Sequence, residues 1–529
     1  MKKNLFKYIC VALGSAVIAT SCTKDLDRTP TNDITADVVY KTPAGYKQVL
    51  AKVYGSFALT GNAGPAGSPD VQGLDEGSNA DFLRTFFNAQ EVTTDEAICG
   101  WNDPGIPDLH YQSWTSTNPF LLGLYDRAIF QISMCNEFIR ESADDKVAGR
   151  GISGADADDI KHYRVEARFL RAFQYWVLMD LYANPPFVTE NDPIGKYLPP
   201  QIKRADLFTY VEKELKEIEP LMVAPHQNEY ARADQATVWA LLARLYLNAE
   251  TYTGTARYTD ALTYANKVIA GGYDLKAKYN QLFLADNNKN NNEVIFPIAY
   301  DGLHTQSYGG TSFIINASVG GSMDQKLFGI SSGGWGGLRT TKNLPLLFGN
   351  YATTKDSRSM FMGDKIEIDN VSAFTDGLAV AKFRNVNSDG TPGSNVSQSF
   401  SDVDFPLFRL AEQYLIYAEA VLRGGTGGDK ATAISYINKL RQRAYGDASG
   451  NVADISLDFI LDERARELYW EGFRRTDLIR YNRFTTSNYV WPWKGGVKNG
   501  TGVDAHFNIF PIPVTDLTAN PNLKQNDKY

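Results

Sequence analysis

A chain of 529 residues, 43% hydrophobic and 22% charged, can bury a large core, and its composition is that of a folded body, not a disordered segment. Its formal net charge of −8 at pH 7 argues against nucleic acid as a ligand, and its four cysteines are too few for a disulfide framework or a cysteine-rich zinc site. Aromatic residues are abundant, with 29 Tyr and 28 Phe, and such rings suit recognition surfaces because they offer large amphipathic faces with little rotamer entropy to lose.

The chain opens with MKKNLFKYICVALGSAVIATS, in which lysines, an apolar run and small residues follow one another as in a secretory signal, here residues 1–21. The run is too short and wrongly flanked for a spanning helix. Cys22 comes next, and small residues before a cysteine at this place look like a bacterial lipoprotein processing site. Acyl chains on Cys22 would hold the mature protein on a membrane, since each buried methylene contributes roughly 0.8 kcal/mol. The alternative is ordinary cleavage near Ser21 with Cys22 unmodified. Loss of the signal removes Lys2, Lys3 and Lys7 and no acid, so the mature chain is more acidic still. It also removes Cys10, and with Cys22 lipidated only Cys99 and Cys135 remain, enough for one optional bridge. The polar stretch TKDLDRTPTND extends the tether through residue 32, and residues 33–529 read as a single domain.

Apolar spacing predicts helices in about 33–60, 120–275 and 405–485. Residues 157–183 have an acidic start, apolar positions at Tyr163, Ala167, Leu170 and Val177, and a stop at Asn184-Pro185-Pro186. In the next helix Ala236, Trp239, Ala240, Ala243, Tyr246 and Leu247 share a face, with Asp234 as cap, and a further helix ends at Gly271-Gly272. Trp239-x2-Leu242-Ala243-x2-Tyr246 followed by Ala261 resembles the tetratricopeptide pattern, with alanine for the usual glycine and extra residues around ETYTGT. FRLAEQYLIYAEAVLRGG and KATAISYINKLRQRAYG read as a second pair. The fold class is therefore mainly α: a tetratricopeptide-like helix-pair superhelix with inserted loop-rich segments and minor β structure.

Two blocks break the helical pattern, at about 61–119 and 276–400, and are rich in Gly, Asn, Ser and Pro. In the second, SSGGWGG places Trp335 among glycines, which suggests a sharply bent loop with an accessible ring face. Catalytic patterns are missing: no GxSxG elbow or HExxH occurs, and five histidines are scattered. The acids of LDERARELYWEGFRRTDLIR read as one charged structural helix, with Glu467 near Arg464, Glu471 near Arg475, and a buried stripe of Leu461, Ala465, Leu468, Gly472 and Thr476. GGTGGDK at 424–430 follows a helix, so it reads as a connecting turn and not a phosphate loop.

Several stretches together, EARFLRAFQYWVLMDLYANPPF, LDERARELYWEGFRRTDLIRYNRF and the C-terminal FPIPVTDLTANPNLKQNDKY, resemble the SusD/RagB family of Bacteroidetes outer-membrane lipoproteins, in order and over the whole mature chain. GSPDVQGLDEG, RTFFNAQEVTTDEA and WPWKGGVKNGT resemble its starch-binding member. The resemblance implies a non-enzymatic, surface-exposed lipoprotein that binds starch or malto-oligosaccharides and sits as a lid on a SusC-like TonB-dependent transporter. Asp25 and Asp27 resemble the signal that sends such lipoproteins to the outer face. It implies an aromatic arc following the curve of an α-1,4-glucan at Trp101, Tyr308 and Trp335, with an arginine at Arg84. The amide-bearing neighbour falls on Asn102 or Asp103 and cannot be Pro104. The starch-binding member also carries calcium near the loop read here as ADNNKNNNE. Asn288 replaces an acidic ligand there, so no metal or other cofactor is assigned.

Overall fold

The computed structural model describes residues 36–331 and 333–529. The signal segment, Cys22 and the tether lie outside the described residues. Helix α1 (Pro43–Gly55) begins where Thr42 accepts a hydrogen bond from Gly45 N and Pro43 fills the first helical position. Helix α2 (Phe82–Phe87) runs into a π-helical turn at Asn88–Val92. Helix α3 (Pro119–Glu141) starts as α1 does, with Asn118 Oδ1 accepting from Phe120 N and Leu121 N. Helix α4 (Ala155–Tyr182) ends at Ala183, where φ turns to 61° ahead of Pro185. Helix α5 (Arg204–Ile218) lies on it.

Helix α6 (Gln235–Leu247) opens with a reciprocal capping box between Asp234 and Thr237, and α7 (Tyr258–Ile269) folds back on it. The extra residues between them form a short helix, Ala249–Thr253. Four more helices matter below: α8 (Gly310–Ala317), α9 (Leu410–Leu422), α10 (Lys430–Tyr445), capped by Asp429, and α11 (Leu457–Leu468). The packing runs α1 and α3 on α4, α4 on α5, α6 on α7, α7 on α9, and α9 on α10 and α11. Because α7 packs directly on α9, residues 270–409 leave and rejoin one helical stack, which confirms a mainly α fold carrying an insertion. The GGTGGDK stretch is the turn between α9 and α10.

Among the described residues the strands form three antiparallel pairs: β1 (Ile98–Cys99) with β3 (Leu338–Arg339), β2 (Val294–Ile298) with β6 (Phe405–Arg409), and β4 (Phe361–Met362) with β5 (Ala379–Val380). Among the described residues no helix is long and apolar enough to cross a membrane.

Three expectations are corrected. The charged helix from Leu461 is not continuous: α11 stops at Leu468 and α12 (Arg474–Arg480) starts after a bend with Trp470 at φ 64° and Gly472 at φ 82°. The buried carboxylate of Glu91 accepts from Gly472 N (2.6 Å) and Phe473 N (3.2 Å), and Trp470 Nε1 donates to Glu96 O, so tertiary acceptors outcompete the helix for these donors. The expected pairs along that helix do not form either. Glu467 pairs with Arg409 (2.7 Å) and Arg358 (3.1 Å), Glu471 with Arg409 (2.6 Å) and Lys382 (2.7 Å), Arg464 with Asp477, and Arg475 donates to Asn508 O. In the first loop-rich block, residues 79–99 are buried throughout and largely helical. Cys99 and Cys135 are buried and unpaired.

Candidate functional site

The candidate site is built around α8. At its N-terminal end Asp81, which caps α2 through Arg84 N (2.8 Å), also accepts from Gly310 N (3.0 Å) and from Ser307 Oγ (2.8 Å). Its burial raises the carboxyl pKa, and these donors hold it down. Gly309 lies so close that a Cβ there would come 1.9 Å from Asp81 Cγ. This clamp seats the turn that presents Tyr308.

The C-terminal end of α8 holds the SSGGWGG loop. Trp335 N donates to Asn316 O (2.7 Å), Gly337 N to Ala317 O (2.8 Å) and Gly336 N to Val319 O (2.8 Å). Gly334 and Gly336 take left-handed φ values of 69° and 58°, which L side chains rarely adopt, so the glycines are required by the loop's path. The loop then enters β3, which pairs with β1, and Gly100 N donates to Gly337 O (2.9 Å). Trp101 follows β1 directly. That pairing brings Trp101 beside Trp335: Trp101 Nε1 donates to Trp335 O at 3.0 Å.

The structure therefore brings together Trp101, Tyr308, Trp335 and Arg84. The Tyr308 and Trp335 ring centroids are 6.4 Å apart at 55°, and Tyr308 also leans on Phe400 (5.7 Å). All three rings are half-buried, each tied down on one side with part of its surface in solvent. Arg84 is 5% exposed and donates through Nη1 to Gly77 O (2.6 Å) and Tyr308 O (3.1 Å). Its guanidinium lies over the rings of Phe313 (4.5 Å) and Trp101 (5.6 Å). Burial lowers its pKa to about 10, so it stays charged at neutral pH. Arg84 thus braces the rings from behind. Asn102 and Asp103 are exposed at the rim beside Trp101. Sequence reasoning missed Asp81, Phe313 and Asn316. Only Asp81 carried a signal, as an N-cap type three residues before Arg84.

The acids of TTDE and LDERAREL and the ADNNKNNNE loop lie apart. Asp95 pairs with Arg474 (2.7 Å), and Glu463 with Arg358 (2.8 Å) and Arg441 (2.8 Å), so these acids are engaged in buried ion pairs. In the ADNNKNNNE loop the carbonyls of Lys289 and Asn290 accept from Lys276 Nζ (3.1 and 2.8 Å), and Glu293 pairs with Arg409 and Arg443. Among the described residues no cluster of three or more His, Cys, Asp or Glu could hold a metal ion.

Over 578 aligned residues the chain is 36% identical to the starch-binding protein SusD of Bacteroides thetaiotaomicron, a match covering 100% of this chain and 99% of that protein. The chain belongs to the SusD family. The family's sequence model matches residues 368–529, which hold α9 to α12 and the C-terminal segment. A more distant SusD-family relative, SusD-like protein P2 of Formosa agariphila, is 25% identical over 418 residues, covering 73% of this chain and 77% of that one. Among solved structures, surface glycan-binding protein A from Bacteroides uniformis superposes with a TM-score of 0.70 at 19% identity, covering 92% of this chain and 99% of its own. A laminarin-binding SusD-like protein superposes with a TM-score of 0.68 at 20% identity, covering 92% and 99%. At these identities the structural matches establish the SusD-family fold alone.

Proposed function

We propose that this chain is a cell-surface glycan-binding lipoprotein, anchored through Cys22 in the outer membrane, that captures α-1,4-glucan and passes it to a SusC-like TonB-dependent transporter without cleaving it. The observation that carries the reading is the joint placement of Trp101, Tyr308 and Trp335, each half-buried, on one α8 scaffold, Trp335 on a loop hydrogen-bonded to that helix. A glucose ring has an apolar face of C–H groups that lies on an aromatic ring, with its hydroxyls outward, and each such contact contributes about 1 kcal/mol. Rings inclined to one another, as Tyr308 and Trp335 are by 55°, meet successive sugars of a curved chain better than those of a straight one. Support also comes from the 36% identity to a protein named for starch binding.

A few stacking contacts must offset the ordering of a flexible glycan, so affinity is expected between roughly 10 µM and 1 mM. Clustering on the membrane compensates through multivalency. Replacing Trp335→Ala removes the central ring while leaving the buried core intact. Calorimetry with maltoheptaose is expected to show binding lost or sharply reduced at unchanged near-UV circular dichroism. A folded variant that binds maltoheptaose normally contradicts the site. Affinity capture of the lipoprotein from detergent-solubilised outer membrane is expected to bring down a TonB-dependent barrel, and capture without one contradicts the delivery step.

A further inference from the structure

A second cleft, sharing no residue with the aromatic site, lies where the 3-10 turn Tyr279–Phe283, the β4–β5 pair and the C-terminal end of α10 meet. Its volume is about 650 Å3, within the range of small-ligand pockets. Its walls are cross-linked by backbone hydrogen bonds: Ser357 N to Ala444 O (2.9 Å), Ala381 N to Met360 O (2.8 Å) and Arg384 N to Phe283 O (3.0 Å). The cleft is therefore preformed.

Its charge is the unusual feature. Among the described residues that line it, four are cationic (Lys278, Lys355, Arg384 and Arg443) and none is acidic, in a chain whose net charge is −8. Arg443 is neutralised from behind by Glu293 (3.0 Å) and Glu467 (2.5 Å). Among the described residues Lys355 has only a distant partner, Asp447 at 3.8 Å, both of them exposed. Arg384 makes no hydrogen bond or ion pair through its guanidinium among the described residues, and its Nε is buried without a partner. Partial burial pulls its pKa down, with no nearby carboxylate to raise it. Arg384 is half-buried and its guanidinium has no protein partner among the described residues, so an anion entering the cleft can pair with it without displacing an existing ion pair.

The guanidinium fork matches a carboxylate bidentately, and Met360, Phe361 and Tyr445 in the same cleft offer apolar surface for a sugar's C–H face. We propose that this cleft binds a carboxylate-bearing saccharide unit, with Arg384 and Lys278 on the carboxylate. The site goes beyond the neutral α-glucan reading and does not depend on it.

The test titrates the full chain, in detergent, with D-glucuronate, D-glucose and acetate by ligand-observed NMR. Glucuronate is expected to bind in the millimolar range, with glucose and acetate each about tenfold weaker, because neither offers both the carboxylate and the ring. Arg384→Gln is expected to weaken glucuronate by about tenfold or more, and Lys278→Gln, an exposed position that cannot disturb folding, by about threefold. Trp335→Ala should leave glucuronate binding unchanged, which separates this cleft from the aromatic site. Absence of glucuronate binding, affinity no better than acetate's, or affinity unchanged in both cleft variants overturns the proposal.

Discussion

Gly337 offers a direct probe of how the site is held. Its backbone is not left-handed, so alanine is tolerated there on conformational grounds. Space is the obstacle: a Cβ at 337 would stand 2.4 Å from Trp101 Cε2, 2.7 Å from Cζ2 and 2.8 Å from Nε1, whereas ordinary contact begins near 3.4 Å. The indole must therefore retreat by about 1 Å, enough to break the 3.0 Å hydrogen bond from Nε1 to Trp335 O. The displaced Trp101 ring loses one sugar stack, about 1 kcal/mol, and Trp335, released from that bond, loses up to about as much again. Gly337→Ala is then expected to weaken maltoheptaose binding by about 5- to 30-fold, corresponding to 1–2 kcal/mol. The helical stack does not depend on the contact, so the thermal midpoint should fall by no more than about 2 °C. Calorimetry on the folded variant measures the first quantity and differential scanning the second. Trp101→Ala should be no worse when combined with Gly337→Ala, because both remove the same ring from the same place. A Gly337→Ala protein that binds within twofold of the parent, or a fully additive double variant, would refute the close approach as the device that positions Trp101.

Asp81→Ala strands three donors, Arg84 N, Gly310 N and Ser307 Oγ, and should cost about 3 kcal/mol of stability in urea unfolding while also weakening glycan binding; a loss below about 1 kcal/mol would contradict its role as a clamp. The Glu91 and Glu96 carboxyls sit side by side, and burial first, then for Glu96 the neighbouring Glu91, pushes both pKa values up. Groups raised in this way stabilise the fold most below the ordinary carboxylate range and lose that contribution as pH rises toward and through neutrality. Stability should therefore decline over that window, and Glu91→Gln, which keeps an acceptor for Gly472 N, should flatten the decline; an unchanged pH slope would contradict the raised pKa values at this pair.

The helices were legible because their signals are local. Asp234 caps as its position suggests, and Ala236, Ala240, Ala243, Tyr246 and Leu247 are buried as their spacing implies. Trp239 is only half-buried, its Nε1 donating to Glu219 (2.8 Å). The break at 469–473 was not legible, because the group that bends it, Glu91, lies far away in sequence, and nothing in LYWEGF competes with helix except one glycine. The ion pairs failed for the same reason. Arg464 and Glu467 are spaced for a helical pair, yet buried charges take the partners that satisfy them best, and Arg358 and Arg409 come from other elements.

At the candidate site, glycines around a tryptophan marked Trp335 as unusual. Its alignment with Trp101 depends on the β1–β3 pairing of two-residue strands, too short for periodicity to show. Arg84 carried no local sign that it braces rings instead of facing solvent, since that follows from Phe313 and the carbonyl of Tyr308 closing over it.

The most direct test of the account is calorimetric titration of the full chain with maltoheptaose, a cyclic α-glucan, cellohexaose and a laminari-oligosaccharide. The account predicts heat with the two curved α-glucans, at affinities between roughly 10 µM and 1 mM, and none with straight cellohexaose. Binding to cellohexaose or the laminari-oligosaccharide without binding to either α-glucan would contradict it.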